Sequence, residues 1–211
     1  MLVKTFASAV FGVDAQQITI EVNAGGQVMA TSTGYSLVGL PDNAVKEGYH
    51  RIESALKHSG LKLPRVRIVV NMAPADLKKE GSAYDLPIAL AILKSTGQIE
   101  AEALDQYIIM GELSLDGSLR PIKGALPIAI QARREKFKGF ILPKDNAREA
   151  AIVDHLEVFG VRNIREAIEI LEGRSEVQPT FVDTRSEFSE AQNHFELDFS
   201  DVRGQENIKR A

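Results

Sequence analysis

The sequence has no cysteine and no tryptophan among its 211 residues. Without cysteine there can be no disulfide framework, thiolate nucleophile or cysteine-ligated zinc site. Aromatic residues make up only 6% of the chain, which argues against a stacking platform for single-stranded nucleic acid. A membrane span requires about 20 apolar residues, and no apolar run approaches that length. The opening residues are too polar for a secretory signal. We therefore expect a cytoplasmic protein without membrane contacts.

The chain also lacks an excess of positive charge. It carries 25 Lys and Arg against 29 Asp and Glu, so its formal net charge is −4. A chain with this balance has no global field that attracts phosphate backbones, and any contact with nucleic acid must be local. Hydrophobic residues make up 44% of the chain and charged residues 26%, which is typical of a globular protein with its own core.

The hydrophobic pattern alternates between strand and helix periods. Helices are predicted over residues 43–58, 85–95, 124–136, 147–153 and 164–171, with Asp42 as N-cap of the first. Strands are predicted over residues 5–11, 18–22, 35–40, 65–72, 107–113, 118–122, 140–142 and 157–161, with a short run around 28–30. The continuous apolar run at 68–70 predicts burial on both faces of its strand. Together these elements indicate an α/β (α+β) layered domain with parallel pairing in places.

Composition changes after the last predicted helix. Beyond Gly173 the chain becomes polar and charged with little periodicity, which is typical of a linker or extended arm. We predict a folded domain over residues 1–172, a linker arm over 173–198 and a separate segment over 199–211.

Several common catalytic motifs are missing. The chain has no phosphate-binding G-x-x-x-x-G-K-[ST], no dinucleotide-binding G-x-G-x-x-G, no G-x-S-x-G nucleophile elbow and no H-E-x-x-H zinc site. Asp76, Glu80 and Asp85 cluster before the second helix, and two of them could bind a hard cation if further oxygens were near. The simpler interpretation is that Asp85 caps its helix or complements the helix dipole, while Lys78, Lys79 and Glu80 form a solvated loop tip.

Two segments carry a family resemblance. Residues 71–90 and 111–124 resemble the proteolytic core of Lon-type proteases, in which a K-D-G-P-S-A-G loop holds a nucleophilic serine and a later segment its lysine partner. More specifically, the chain resembles the N-terminal domain of Mg-chelatase-like AAA+ ATPases of the ComM/YifB type. The motifs that carry this resemblance are GLPD at 39–42, VKE at 45–47, APADL at 73–77, YDLPI at 84–88 and GEL at 111–113. It implies a Lon-like fold of the ribosomal protein S5 domain 2-like class.

The protease dyad is degenerate in this alignment. Ala83 occupies the position of the nucleophile and Leu126 that of its lysine partner, so the resemblance implies a catalytically silent scaffold. An alternative dyad would consist of Ser82 and Lys123. Ser82 lies one residue before the nucleophile position, and Lys123 lies three residues, about one helical turn, before that of the lysine. A Ser-Lys peptidase with this shifted dyad stays open as an alternative.

The end of the chain resembles the opening segment of an AAA+ module. The letters DVRGQ at 201–205 place Val202, Gly204 and Gln205 where that family contacts the adenine. The resemblance implies a longer parent that binds ATP and Mg²⁺, assembles as a homo-hexamer and moves DNA branch points in recombination and natural transformation. We expect the present chain to be a truncated part of it, with no cofactor of its own and the absent motor domain as its partner.

One dense basic group offers another function. Arg133, Arg134, Lys136 and Lys138 follow closely at the end of the third predicted helix. They could contact DNA phosphates, which would make the chain a DNA-binding module. Basic residues are also favoured at a helix C-terminus by the helix dipole, so the group needs no ligand to explain it.

Overall fold

Strands and helices alternate along most of the chain. A computed structural model describes residues 1–26 and 34–183. The strands in this part are β1 (Leu2–Phe11), β2 (Asp14–Ala24), β3 (Tyr35–Val38), β4 (Ile68–Ala73), β5 (Tyr107–Ile109), β6 (Glu112–Leu113), β7 (Leu119–Arg120), β8 (Gly139–Pro143) and β9 (Glu157–Val161). The helices are α1 (Asn43–His58), α2 (Asp85–Ser95), α3 (Ala125–Arg134), α4 (Ala147–Ala150) and α5 (Ile164–Leu171). The α/β prediction is confirmed.

Within the described residues, seven strands form one mixed sheet in the order β3-β4-β2-β1-β5-β8-β9. Four of the six neighbouring pairs are parallel, and β2 pairs antiparallel with both β1 and β4. The predicted strand over 107–113 divides in two, because β5 joins the sheet whereas β6 turns away to form a hairpin with β7. The turn of that hairpin contains the Asp116-Gly117 pair from which it was predicted.

Helices α1, α2 and α5 have the bounds that local signals predict, whereas α3 and α4 are shorter than the predicted 124–136 and 147–153. Asp42 accepts a hydrogen bond from the Val45 amide at 2.8 Å and caps α1, and Gly60 follows its C-cap with a φ of +73°. Helix α2 is buried along almost its whole length and packs against β1, β2 and α1. It is therefore a central helix of the core, and it anchors the C-terminal end of the loop that precedes it.

The β1–β2 hairpin projects beyond its neighbours in the sheet. On one side β4 ends opposite Thr19, and on the other side β5 pairs with β1 only at Phe6. The two hairpin strands continue to Phe11 and Asp14, where a two-residue turn joins them. Residues 8–17 therefore form a two-stranded ribbon that has no neighbouring strand on either side among the described residues.

Other predictions were less accurate or lie outside the described residues. Val69 is only partly buried between the buried Ile68 and Val70, so β4 alternates and the prediction of burial on both faces was wrong. The run around 28–30 falls in the undescribed segment 27–33.

The chain divides into units Met1–Phe181 and Val182–Ala211, and nearly all of the second is undescribed. None of the helices in the described part combines the length and the apolar character that a transmembrane segment requires.

Candidate functional site

A cleft of about 430 Å³ opens where three segments meet. Its walls are the loop before α2, the ribbon end of β1 and the segment between β7 and α3. Ser82, Ala83 and Lys123 all line it, so the structure brings together three of the four residues that the sequence indicated. Leu126 does not line the cleft; its amide donates to the Glu149 carboxylate on α4 at 2.9 Å.

The Ser82 hydroxyl points to an acid rather than to an amine. It donates a hydrogen bond to the Glu112 carboxylate, and the other oxygen of that carboxylate lies 3.8 Å from the Arg120 guanidinium. Lys123 is exposed at the cleft, and within the described residues no hydrogen bond joins its amine to Ser82. A Ser-Lys dyad requires a hydroxyl within hydrogen-bond reach of a neutral amine, and this pair does not provide it.

The only lysine of the described residues that is fully buried is Lys79, which the sequence placed in a solvated loop tip. That prediction was wrong for this residue. Its amine donates to the carbonyl oxygen of Gly39 at 2.7 Å and to that of Pro74, and burial lowers its pKa. Because both contacts are with backbone carbonyls, Lys79 joins two segments of chain and does not face Ser82.

The GLPD motif at 39–42 holds the loop before α2 in place. The Asp42 amide donates to the Lys79 carbonyl at 2.9 Å, and the Lys79 amide donates to the Leu40 carbonyl at 3.2 Å. The Asp42 carboxylate, which caps α1, also accepts from the Gly81 amide at 3.0 Å. The motif therefore fixes the position of the residue directly before Ser82, at the rim of the cleft.

Asp85 forms a buried ion pair. Its side chain is 2% exposed and accepts from the Arg51 guanidinium at 2.6 and 3.0 Å and from the Leu113 amide at 3.3 Å. Burial raises the pKa of its carboxyl, and the Arg51 charge opposes that shift. Asp85 lies in the first turn of α2, but its side chain connects α2 to α1 and β6 and does not cap the helix.

The three clustered acids do not converge on a cation. Asp85 is engaged by Arg51, and Glu80 pairs with Lys78 on the surface. Across the part of the chain that the structure describes, no group of three or more His, Cys, Asp or Glu residues could hold a metal ion. The loop therefore does not bring Asp76, Glu80 and Asp85 together as ligands.

The remaining predicted residues lie away from the cleft or outside the described part. Arg133, Arg134 and Lys136 lie around the C-terminal end of α3, and all three are exposed. Lys138 instead lies 3.8 Å from the Glu157 carboxylate and over the ring of Tyr107. The AAA+ segment with Val202, Gly204 and Gln205 lies wholly outside the described residues.

Sequence reasoning missed the roles of Arg51, Lys79 and Glu112. A signal existed for Arg51, because an acid inside an otherwise apolar helix requires a cation on a neighbouring element. Glu112 belongs to the GEL motif, but nothing local pairs it with a serine 30 positions earlier. Lys79 is one of two adjacent lysines, and only the fold distinguishes the buried one from the exposed one.

Comparison with known proteins places the sequence in a family. The family described as subunit ChlI of Mg-chelatase matches residues 18–146. The competence protein ComM of Haemophilus influenzae is 35% identical over 98% of the chain and 40% of its own length, and YifB of Escherichia coli is 39% identical over 96% and 38%. The DNA repair protein RadA of Aquifex aeolicus is 35% identical over 49% of the chain and 22% of its own length.

The chain spans about two fifths of the length of ComM and YifB. The ChlI match covers more than half of the chain, and the two relatives cover nearly all of it. We conclude that the chain belongs to the Mg-chelatase-like family, of the ComM and YifB type.

Proposed function

We propose that this chain is a non-catalytic module of a longer AAA+ ATPase that uses ATP and Mg²⁺ to remodel DNA, as in branch migration. The ChlI family match and the share of ComM and YifB that the chain spans support a longer parent. The names of ComM, a competence protein, and RadA, a DNA repair protein, support a DNA-related role. The chain's partner would be its own motor domain, within a homo-hexamer.

The contact between Ser82 and Glu112 is the observation that carries the non-catalytic part of this proposal. In the S5 domain 2-like, Lon-like scaffold that we propose, the cleft would be the remnant of a peptidase site. Its serine hydroxyl donates to a carboxylate, and the buried amine of Lys79, three residues earlier in the chain, is bound to two carbonyls. Ala83, at the nucleophile position, has no hydroxyl. The cleft therefore lacks the hydroxyl-to-amine contact that a Ser-Lys mechanism requires.

The proposal predicts that this chain cleaves no protein. Incubation with unfolded, fluorescently labelled casein should release no fragments, and Ser82→Ala should not change that result. A protein extended to the length of the ComM relatives should hydrolyse ATP in the presence of Mg²⁺, at the same rate with or without Ser82→Ala. Cleavage by the unaltered chain that disappears in Ser82→Ala would establish the peptidase alternative and refute the non-catalytic module.

DNA binding by the chain itself is a second candidate, favoured by the grouping of Arg133, Arg134 and Lys136 at one helix end. Mobility shifts with labelled branched DNA should then show an affinity that falls steeply with salt. Replacing all three residues with glutamine should reduce the slope of log K against log salt by about 0.9 for each phosphate that they neutralise. Replacing Arg65 and Arg67, which lie before β4, is the matched control and should leave the slope unchanged. Absence of binding at low salt would exclude this candidate.

A further inference from the structure

The backbone of β1 has a free edge at the cleft. In the antiparallel pairing of β1 with β2, Leu2 lies opposite Asn23, and the amine of Met1 donates to the Ala24 carbonyl. Hydrogen-bonded and non-hydrogen-bonded positions alternate along such a pair, so the even-numbered residues of β1 direct their N–H and C=O groups away from β2. Phe6 fits this pattern, because it pairs with Ile108 of β5 on the outer side.

Side chains take over as partners where β5 leaves β1. At Ser8, the next outward-facing residue, the amide donates to the Met110 thioether at 3.3 Å, and the carbonyl accepts from the Tyr84 hydroxyl at 3.3 Å. At Val10 the outward N–H and C=O have no hydrogen-bond partner among residues 1–26 and 34–183. Val10 lines the cleft and is 36% exposed, so this unpaired backbone faces open space.

The rest of the cleft suits an extended chain. Beside Val10 its walls present the apolar side chains of Met110, Pro121 and Ile122, where alternate side chains of an added strand could be buried. An unpaired strand edge is a template for pairing with another chain, since it offers a donor and an acceptor in fixed register. The cleft combines this edge with apolar pockets, as a site for strand addition requires.

The charges at the cleft favour an acidic occupant. Glu80 is paired with Lys78, and Glu112 is engaged by Ser82 and lies near Arg120. Lys123 is exposed at the rim and has no ion-pair partner among the described residues. The amine of Lys123 therefore has no local counter-charge, and a carboxylate of an incoming chain could lie beside it.

We propose that the cleft binds an extended peptide segment that adds a short strand to β1 at Val10 and places a carboxylate near Lys123. This inference deepens the proposed function, because a scaffold that binds a peptide without cutting it can recruit a protein partner to the motor. It rests on the assignment of the cleft as non-catalytic.

Proline at position 10 tests the free edge directly. The probe is a fluorescein-labelled hexapeptide of alternating valine and threonine that ends in aspartate, titrated into the full chain by fluorescence anisotropy. Val10→Pro removes the N–H that faces the cleft and none that pairs with β2, so it should weaken binding about tenfold. Lys123→Gln should weaken binding roughly two- to fivefold, and less at high salt.

Ala15→Pro is the matched control. Ala15 lies opposite Val10 in the ribbon, and its N–H points away from β1 on the edge that does not face the cleft. It should bind the peptide as the unaltered chain does. Equal losses in both proline variants, or no binding to the unaltered chain, would overturn the inference.

Hydrogen exchange and mass spectrometry test the peptide-binding proposal even if the proline variant does not fold. If Val10→Pro does not fold, hydrogen exchange of the Val10 amide in the unaltered chain decides: protection on peptide addition supports the inference, and unchanged exchange refutes it. Mass spectrometry of the recovered peptide separates the two proposals. An intact but unbound peptide counts against peptide binding alone, whereas a cleaved peptide counts against the non-catalytic module.

Discussion

Replacing Arg51 with methionine is expected to lower the free energy of unfolding by roughly 3–5 kcal/mol. Asp85 is 2% exposed, and Arg51 supplies both of its side-chain hydrogen bonds, at 2.6 and 3.0 Å. Without the guanidinium, a buried carboxylate keeps only the Leu113 amide as partner. Such a group must either stay charged in an apolar surrounding or become protonated, and both cost free energy. Urea denaturation at pH 7 measures the change.

Two controls separate this effect from simple loss of charge. Lys4→Met removes the partner of Glu21 on the surface, where the two side chains are 55% and 30% exposed, and should cost under about 1 kcal/mol. Adding Asp85→Asn to Arg51→Met removes the unpaired charge and should restore part of the lost stability. A single variant as stable as the unaltered chain, or a double variant less stable than the single one, would contradict the assignment of a buried ion pair.

The boundaries of three of the five helices in the described part follow from local chemistry and were therefore predictable. The bounds of α1, α2 and α5 agree with those predicted from apolar spacing and terminal signals. In α1 the Asp42 cap and Gly60 act within a few residues of the ends that they define. The Asp116-Gly117 turn is equally local, and the hairpin around it was predicted. Signals of this kind do not depend on the rest of the fold.

Contacts across the fold were not predictable in the same way. Lys79 is buried because its amine meets Gly39, 40 positions earlier, and Ser82 meets Glu112, 30 positions later. Neither distance leaves a periodic signal in the sequence. The family resemblance paired Ala83 with Leu126 and, as the alternative, Ser82 with Lys123. The cleft is lined by Ser82, Ala83 and Lys123 but not by Leu126. What the resemblance could not predict is which polar groups in that site are already bound to each other.

Gly39→Ala is expected to lower the free energy of unfolding by at least about 3 kcal/mol. Gly39 has a φ of +102°, a conformation that residues with a side chain rarely adopt. A Cβ placed there would lie 2.0 Å from the carbonyl oxygen of Met72, which belongs to β4 and pairs with Ile20 of β2. Because that oxygen is backbone, relief requires the GLPD segment to move away from β4. Urea denaturation should show the loss as a lower midpoint.

Gly12→Ala isolates the backbone strain from the collision. Gly12 has a φ of +61°, but a Cβ there would meet nothing within 4 Å, so this variant should cost only about 1–2 kcal/mol. The displacement also predicts a chemical change, since the Gly39 carbonyl is a partner of the Lys79 amine. Acetic anhydride should modify Lys79 in folded Gly39→Ala protein and spare it in Gly12→Ala. Equal protection of Lys79 in both variants would show that the GLPD segment does not hold the loop that leads to Ser82.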